Sequence, residues 1–232
     1  MAQKINPIGL RLGLTQVWGI ITQNYGKKDN LYRLFLINQF LITKILEQYF
    51  TSTKDKIIDR WFIFHYQGTV LVLKSLDIQP QLDKDLKANL DLLFPLNLKL
   101  NFFNPSETNL TAKFITLYAE HIFNKTGNLK KVSLNIFVFL RKCLNLKKIS
   151  YCNKTIVQLN LIGFKIKISG RFDNSRNQMA KSYEQSHGSL SLMRLENYVE
   201  FYNKTIFTKL GTCSFQIWLF YKINYICNDV GQ

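Results

Sequence analysis

The sequence predicts an α+β fold in two units, and three observations carry this prediction. Apolar side chains recur with helical spacing in some segments, short β-branched and aromatic runs alternate with them, and the charge balance changes sharply along the chain. Of the 232 residues, 47% are hydrophobic, which is enough to bury a substantial core. We expect a basic, extended N-terminal arm over residues 1–28, a first domain over 29–128 and a second domain over 129–232.

The first domain is predicted to contain six elements, separated by Gly, Pro and polar residues. They are, in chain order, a helix at 31–50, strands at 57–66 and 69–76, a helix at 83–94, a strand at 96–103 and a helix from 104 to about 125. Gln67 and Gly68 separate the two strands of a hairpin, and Gly127 is placed to stop the last helix. This element order resembles that of a type II KH domain, an RNA-binding α+β module.

The KH resemblance does not extend to the loop that binds nucleic acid in such domains. That loop has the pattern Gly-x-x-Gly, which brings the protein backbone close to the nucleic-acid backbone. The chain has no glycine between Gly68 and Gly127, and the loop position at 77–83 reads Asp-Ile-Gln-Pro-Gln-Leu-Asp. Two Asp residues there would repel phosphate. We therefore expect a degenerate KH-like domain that serves as a scaffold.

The excess positive charge of the chain is concentrated in two segments. Lys and Arg number 31 against 15 Asp and Glu, a formal net charge of +16. Residues 1–28 hold four basic and no acidic groups, and residues 121–172 hold eleven basic and no acidic groups. A solvated surface normally mixes the two signs, so both segments are predicted to contact a polyanion. Charge alone does not choose between RNA and anionic lipid.

Catalytic, metal-binding and membrane-spanning functions have little support in the sequence. The four cysteines form no Cys-x-x-Cys pair, and the three histidines are dispersed, so we expect neither a metal site nor a cofactor. The chain shows no phosphate-binding loop, nucleophile elbow or cluster of carboxylates, so we expect no enzymatic activity. No apolar run approaches the roughly 18 residues needed to span a bilayer.

The N-terminus carries the first motif that points to a known family. Residues 3–13 read Gln-Lys-Ile-Asn-Pro-Ile-Gly-Leu-Arg-Leu-Gly. This run resembles the start of small-subunit ribosomal protein three, a family whose members lie where mRNA enters the small ribosomal subunit. Ala2 stands where the family usually has glycine.

Three later segments extend the resemblance in the same order along the chain. Residues 163–171 resemble the family pattern Gly-Ile-Lys-x-x-x-Ser-Gly-Arg, and residues 179–188 fit the next segment after a two-residue insertion. Residues 215–222 resemble the closing strand Val-x-Val-Trp-Ile-Phe. The alternation in 163–171 predicts a half-buried strand, with Phe164 on its apolar face and Lys165 on a cationic outer face.

The resemblance implies a basic helix after the KH-like domain, facing incoming mRNA. The residues of this chain that fit that role are Lys130, Lys131, Arg141 and Lys142. The first two match the family pattern well and the last two approximately, because residues 135–137 are less basic than in the family. Any help that this helix gives in unwinding mRNA is therefore expected to be weaker.

The resemblance also implies that the arm and the basic block bind ribosomal RNA. The residues predicted to make these contacts are Lys4, Asn6, Arg11, Lys147, Lys148, Lys165, Lys167, Arg171 and Arg176. Of the basic residues, 24 are Lys and 7 are Arg, which favours contact with the RNA backbone over reading of base edges. The nearly neutral first domain is expected to contact neighbouring small-subunit ribosomal proteins.

The expected location is the mitochondrial matrix, within the organelle ribosome. The family motif begins at Met1, and the composition is of the A+T-rich type found in rapidly changing mitochondrial genomes. A plastid and a bacterial cytoplasm are the alternatives. The alternative function is that of a free KH-type RNA-binding regulator outside the ribosome, against which the missing glycine loop argues.

Overall fold

The computed structural model describes most of the second half of the chain and separate parts of the first half. The described residues are 5–17, 37, 40, 41, 44, 58–65, 68–75, 98–103, 111–152, 156–171 and 179–225. The chain divides into two compact units, one formed by residues 19–105 and the other by residues 1–18 together with 106–232. These units differ from the predicted domains, whose boundaries at 28 and 128 remain predictions.

The unit at 19–105 contains a three-stranded sheet. Strand β1, Ile58–His65, pairs antiparallel with β2, Gly68–Ser75, and β2 pairs parallel with β3, Leu98–Phe103. The predicted hairpin and the predicted strand at 96–103 are therefore confirmed. Ile37 and Leu41 are helical, as predicted for 31–50. The predicted helix at 83–94 and the loop at 77–83 lie outside the described residues, so the KH-like arrangement stays a prediction.

The other unit begins with a short helix, α1, Pro7–Arg11, in its N-terminal segment, and two consecutive helices follow after residue 105. Helix α2, Ala112–Thr126, starts where the Thr111 hydroxyl accepts a hydrogen bond from the Phe114 amide. It starts later than the predicted position because Thr111 is in an extended conformation and caps it. It ends at Gly127, which adopts the left-handed conformation with φ of 68°, so the predicted stop is confirmed.

Helix α3, Leu129–Lys142, follows after Gly127 and Asn128. The Asn128 side chain accepts hydrogen bonds from the amides of Lys130 and Lys131, which caps the helix. Its buried apolar residues, Leu129, Val132, Ile136 and Leu140, recur every three or four positions and pack on the sheet described next. The basic helix expected after residue 128 is therefore present.

A five-stranded antiparallel sheet forms the largest element of this unit. Its strands are β4, Lys147–Tyr151; β5, Ile156–Gly170; β6, Lys181–Gly188; β7, Tyr198–Thr208; and β8, Gly211–Tyr225. The order is β4-β5-β8-β7, and β6 pairs with the second half of β5 beyond β4. The inner face, with Phe164, Ile166 and Ile168, packs against α2 and α3. The predicted strand at 163–171 and its apolar face are confirmed.

Two glycines permit β5 and β6 to come together where the pairing of β5 with β8 shifts register. Gly163 and Gly188 are partners across the two strands, next to the shift between Leu161 and Gly163. A Cβ atom at Gly163 would overlap the carbonyl oxygen of Ser189, and a Cβ atom at Gly188 would overlap that of Ile162. Glycine is therefore required at both positions by the close approach of the backbone.

Candidate nucleic-acid interface

The four residues predicted to face mRNA all lie on the exposed side of α3. Lys130 and Lys131 are in its first turn, Arg141 and Lys142 are in its last turn, and all four are exposed. With a rise of 1.5 Å per residue, the two pairs are about 16 Å apart along the helix axis. The structure therefore places these cations on one surface, separated by the middle of the helix.

The charged side chains in the first turn of α3 do not favour helix stability. A helix N-terminus carries a partial positive charge, so acidic residues stabilise it and basic residues do not. The first turn of α3 has no acidic residue and carries Lys130 and Lys131. The positive charge of the two lysines adds to that of the helix terminus, which creates a local field that attracts anions.

The middle of the exposed face is apolar, a feature that was not predicted from the sequence. Leu134 is 47% exposed and Val138 is 55% exposed, and they lie one turn apart. In the sequence, residues 134–140 form one run that is apolar except for Asn135. Helical spacing would have separated Leu134 and Val138 from Ile136 and Leu140, which are buried.

The predicted cationic face of β5 is present, but a carboxylate partly neutralises it. Lys165 and Lys167 each place Nζ 2.7 Å from an oxygen of Glu184 on β6. Hydrogen bonds from these two lysines lower the pKa of Glu184 to about 2. Lys165 also lies over the ring of Trp218, with Nζ 5.7 Å from the ring centroid. The Glu184 carboxylate therefore holds two predicted RNA-binding groups side by side.

Lys147 and Lys148 are neighbours in sequence but point to opposite faces of β4. Lys147 is exposed, as contact with RNA requires. Lys148 lies on the inner face, with its Nζ 2.7 Å from Oε1 of Glu200 and 5.8 Å from the centroid of the Tyr221 ring. The Lys148 side chain is only 11% exposed, so this structure favours Lys147 over Lys148 as a contact for RNA.

Arg11 requires a correction to the prediction of an extended arm that binds RNA. Residues 7–11 form a short helix, α1, Pro7–Arg11, and the Arg11 side chain is completely buried. Its guanidinium donates hydrogen bonds to four backbone carbonyls, those of Pro7, Leu192, Arg194 and Asn197. These partners come from the chain itself, so the guanidinium is turned away from any phosphate.

The contacts of the other described residues in the N-terminal segment agree with this correction. The Gln16 amide donates to the Val199 carbonyl, and α1 packs on β7. Asn6 is exposed, and its side chain accepts a hydrogen bond from the Ile8 amide, which caps α1. The segment therefore covers part of the outer face of the sheet, where Val199 and Phe220 are fully buried.

The remaining predicted RNA-binding residues are Arg171, Lys4 and Arg176. Arg171 is half-buried at the end of β5, and its carbonyl accepts a hydrogen bond from the Cys213 thiol. Lys4 and Arg176 lie outside the described residues.

In the described part of the chain, no group of three or more His, Cys, Asp or Glu residues is placed to hold a metal ion. None of the described helices is long and apolar enough to cross a membrane.

The fold and the site define a class: a basic α+β protein that presents a cationic helix on a rigid sheet. Comparison with known proteins is consistent with that class. No protein-family model matches the chain. The chain is 37% identical to small ribosomal subunit protein uS3m of Chondrus crispus over an alignment of 242 positions, which covers 100% of this chain and 99% of that protein. The chain belongs to the small ribosomal subunit protein uS3 family.

Two more distant relatives carry related names. Small ribosomal subunit protein uS3 of Karelsulcia muelleri is 22% identical over 223 residues, covering 94% of this chain and 88% of the relative. Small ribosomal subunit protein uS3c of Crucihimalaya wallichii is 25% identical over an alignment of 238 positions, which covers 95% of this chain and 98% of the relative. Since each match spans nearly the whole chain, the resemblance seen in separate motifs extends over its full length.

Proposed function

We propose that this chain is a structural, RNA-binding constituent of the small ribosomal subunit in mitochondria. The observation that carries the proposal is membership of the uS3 family over the full length of the chain. Two features of the molecule support it independently. Residues 121–172 lack acidic groups, and the basic residues of α3 lie on its exposed side.

Within that role, ribosomal RNA binds exposed and partly exposed cations of the sheet, and mRNA passes the exposed face of α3. The candidates for ribosomal RNA on the sheet are Lys147 and, on the outer face of β5, Lys165 and Lys167. Asn6 and Arg171 remain candidates outside the strands. Lys130, Lys131, Arg141 and Lys142 are the candidates for incoming mRNA. The first domain, predicted over residues 29–128, is KH-like in this proposal and serves as a scaffold for neighbouring ribosomal proteins in the head of the subunit. Catalysis is not part of this function.

The first experiment is sedimentation of a mitochondrial lysate at moderate and at high salt. We expect the chain to migrate with small-subunit RNA and to stay with it through the high-salt wash. A loosely bound basic protein would dissociate, since binding through several phosphate contacts falls steeply with salt. Migration at the top of the gradient at moderate salt would contradict the proposal and favour the free RNA-binding regulator.

A charge reversal tests the assignment of α3 to mRNA. Replacement of Lys130 and Lys131 by Glu is expected to slow mRNA loading while leaving assembly of the subunit intact. Because both side chains are exposed, the change does not disturb the core. An equal loss of subunit assembly would mean that the two lysines bind ribosomal RNA instead.

A further inference from the structure

The exposed face of α3 has an ordered arrangement that the proposed function does not explain. One cation pair lies at its start, Leu134 and Val138 lie in the middle, and a second cation pair lies at its end. Lys131, Leu134, Val138 and Lys142 follow each other at spacings of three or four residues, so they form one continuous stripe. The stripe therefore combines charge at both ends with an apolar centre.

Among the residues that the structure describes, the apolar centre is not needed for packing. Val132, Ile136 and Leu140 already make the contact of α3 with the sheet and are at most 1% exposed. Single exposed apolar residues are common on protein surfaces and require no explanation. Here, however, two of them are adjacent and are bracketed by cations, in a segment without any acidic residue. The ligand that matches this surface combines negative charge at two points with an apolar surface between them.

We propose that this stripe binds one single-stranded RNA segment along the helix, with phosphates at the two cation pairs and bases against Leu134 and Val138. This inference rests on the proposed function, because it assumes that α3 faces mRNA. An RNA duplex offers mainly phosphates and hydroxyl groups, since its bases are stacked inside. Only a single strand can turn an apolar base face toward the two aliphatic side chains while its phosphates reach the lysines.

The test compares RNA with and without bases. The full-length chain is titrated with a short oligouridylate, with an abasic ribose-phosphate oligomer of the same length and with a short RNA duplex. The main variant is the double replacement Leu134→Gln and Val138→Gln, which keeps residues compatible with a helix. Phe207→Gln is the matched control, because Phe207 is also a large, exposed hydrophobic residue but lies on β7. Lys130→Gln with Lys131→Gln reports the phosphate contacts.

The inference makes a different prediction for each variant. The Leu134 and Val138 double variant should bind oligouridylate about fivefold more weakly and bind the abasic oligomer and the duplex as the unchanged chain does. The lysine variant should weaken the binding of oligouridylate and of the abasic oligomer alike. The Phe207 variant should bind oligouridylate and the abasic oligomer as the unchanged chain does. A second pair, Leu134→Ala and Val138→Ala, gives the same comparison if the glutamines disturb folding.

Failure of the inference and failure of the proposed function give different results. If the lysine variant weakens binding but the apolar variant weakens it equally with and without bases, or not at all, the base contact is overturned and the proposed function stands. If the lysine variant changes nothing, the assignment of α3 to mRNA fails as well. If the apolar variant keeps its RNA affinity but its assembled subunits lose a neighbouring protein, the stripe is a protein-binding surface and the inference is wrong.

Discussion

Glu200 connects β4, β7 and the start of α2, because its two oxygens have different partners. Oε1 accepts a hydrogen bond from Nζ of Lys148 at 2.7 Å, and Oε2 accepts one from the amide of Ala112 at 3.0 Å. The side chains of Lys148 and Glu200 are 11% and 14% exposed, so solvent screens their ion pair only weakly. The pair therefore joins separate elements on the inner side of the sheet.

Replacement of Lys148 by Met is expected to destabilise the chain by about 2 kcal/mol, because it leaves the Glu200 carboxylate largely buried without its cation. Urea unfolding measures the change. Lys147→Met is the control and should alter stability by less than about 0.5 kcal/mol, since Lys147 is exposed. If Lys148→Met instead weakened RNA binding without loss of stability, the original assignment of Lys148 to ribosomal RNA would be restored.

Arg11→Lys should destabilise the chain by about 2–4 kcal/mol, although it preserves the charge. A lysine ammonium cannot reach four carbonyls that a planar guanidinium engages together, and some of these buried or partly buried carbonyls would lose their donor. Thermal unfolding of the full chain is the measurement. Arg194→Lys is the matched control, since Arg194 is exposed and contributes only its backbone carbonyl to Arg11. Equal stability of the two variants would show that the N-terminal segment does not depend on Arg11.

Glu184 should give the stability of the chain a small pH dependence in the acidic range. Its two lysine partners lower its pKa from the ordinary 4.5 to about 2. The carboxylate therefore stabilises the folded state above about pH 4.5, and this contribution is lost as the pH falls toward 2. The effect is small because the side chain is 40% exposed and solvent screens the ion pairs.

The variant Glu184→Gln isolates this effect. It should be slightly less stable than the unchanged chain near neutral pH, and the difference should narrow as the pH is lowered below 4.5. Urea unfolding at a series of pH values measures it, and high salt should reduce it. A difference that stays constant across the pH series would indicate a change in packing in place of a change in charge.

Gly163→Ala is expected to cost about 2–4 kcal/mol of stability, because the new methyl group would overlap the backbone of Ser189 and push β6 away from β5. The control is Gly9→Ala, where nothing lies within 4 Å of the added Cβ and the residue is helical. Alanine favours helix over glycine, so this control should be neutral or slightly stabilising. Calorimetric unfolding of both variants gives the comparison. If Gly163→Ala left the stability unchanged, β5 and β6 would be able to move apart at this point at little cost in free energy.

Local patterns in the sequence were sufficient for much of the fold. The alternation of Phe164 with Lys165 predicted a half-buried strand, and Gly127 marked the end of a helix because few other residues adopt positive φ at low cost. The same kind of pattern did not reveal how the strands of the five-stranded sheet pair, nor that α2 belongs to the compact unit of that sheet. Those features depend on contacts between residues far apart in the chain.

The sequence predicted only part of the candidate site, because composition can be seen in the sequence but the orientation of side chains cannot. Lys130 and Lys131 were selected because they match the basic pattern of the family's helix, and the absence of acidic residues around them is visible in the sequence alone. The apolar stripe of Leu134 and Val138 was missed, since a run of apolar residues does not say which of them face the sheet.

By itself, the sequence determined the α+β class, the family and the location of the positive charge, because each depends on residue type and on short-range spacing. Only the tertiary structure decided what each cation does. The buried Arg11 donates hydrogen bonds to backbone carbonyls within residues 192–197, and Lys148 forms an ion pair with Glu200. Backbone carbonyls are present at every position, and folding brings ion-pair partners together from distant parts of the chain. The residues next to a cation in the sequence therefore do not indicate which group it will contact.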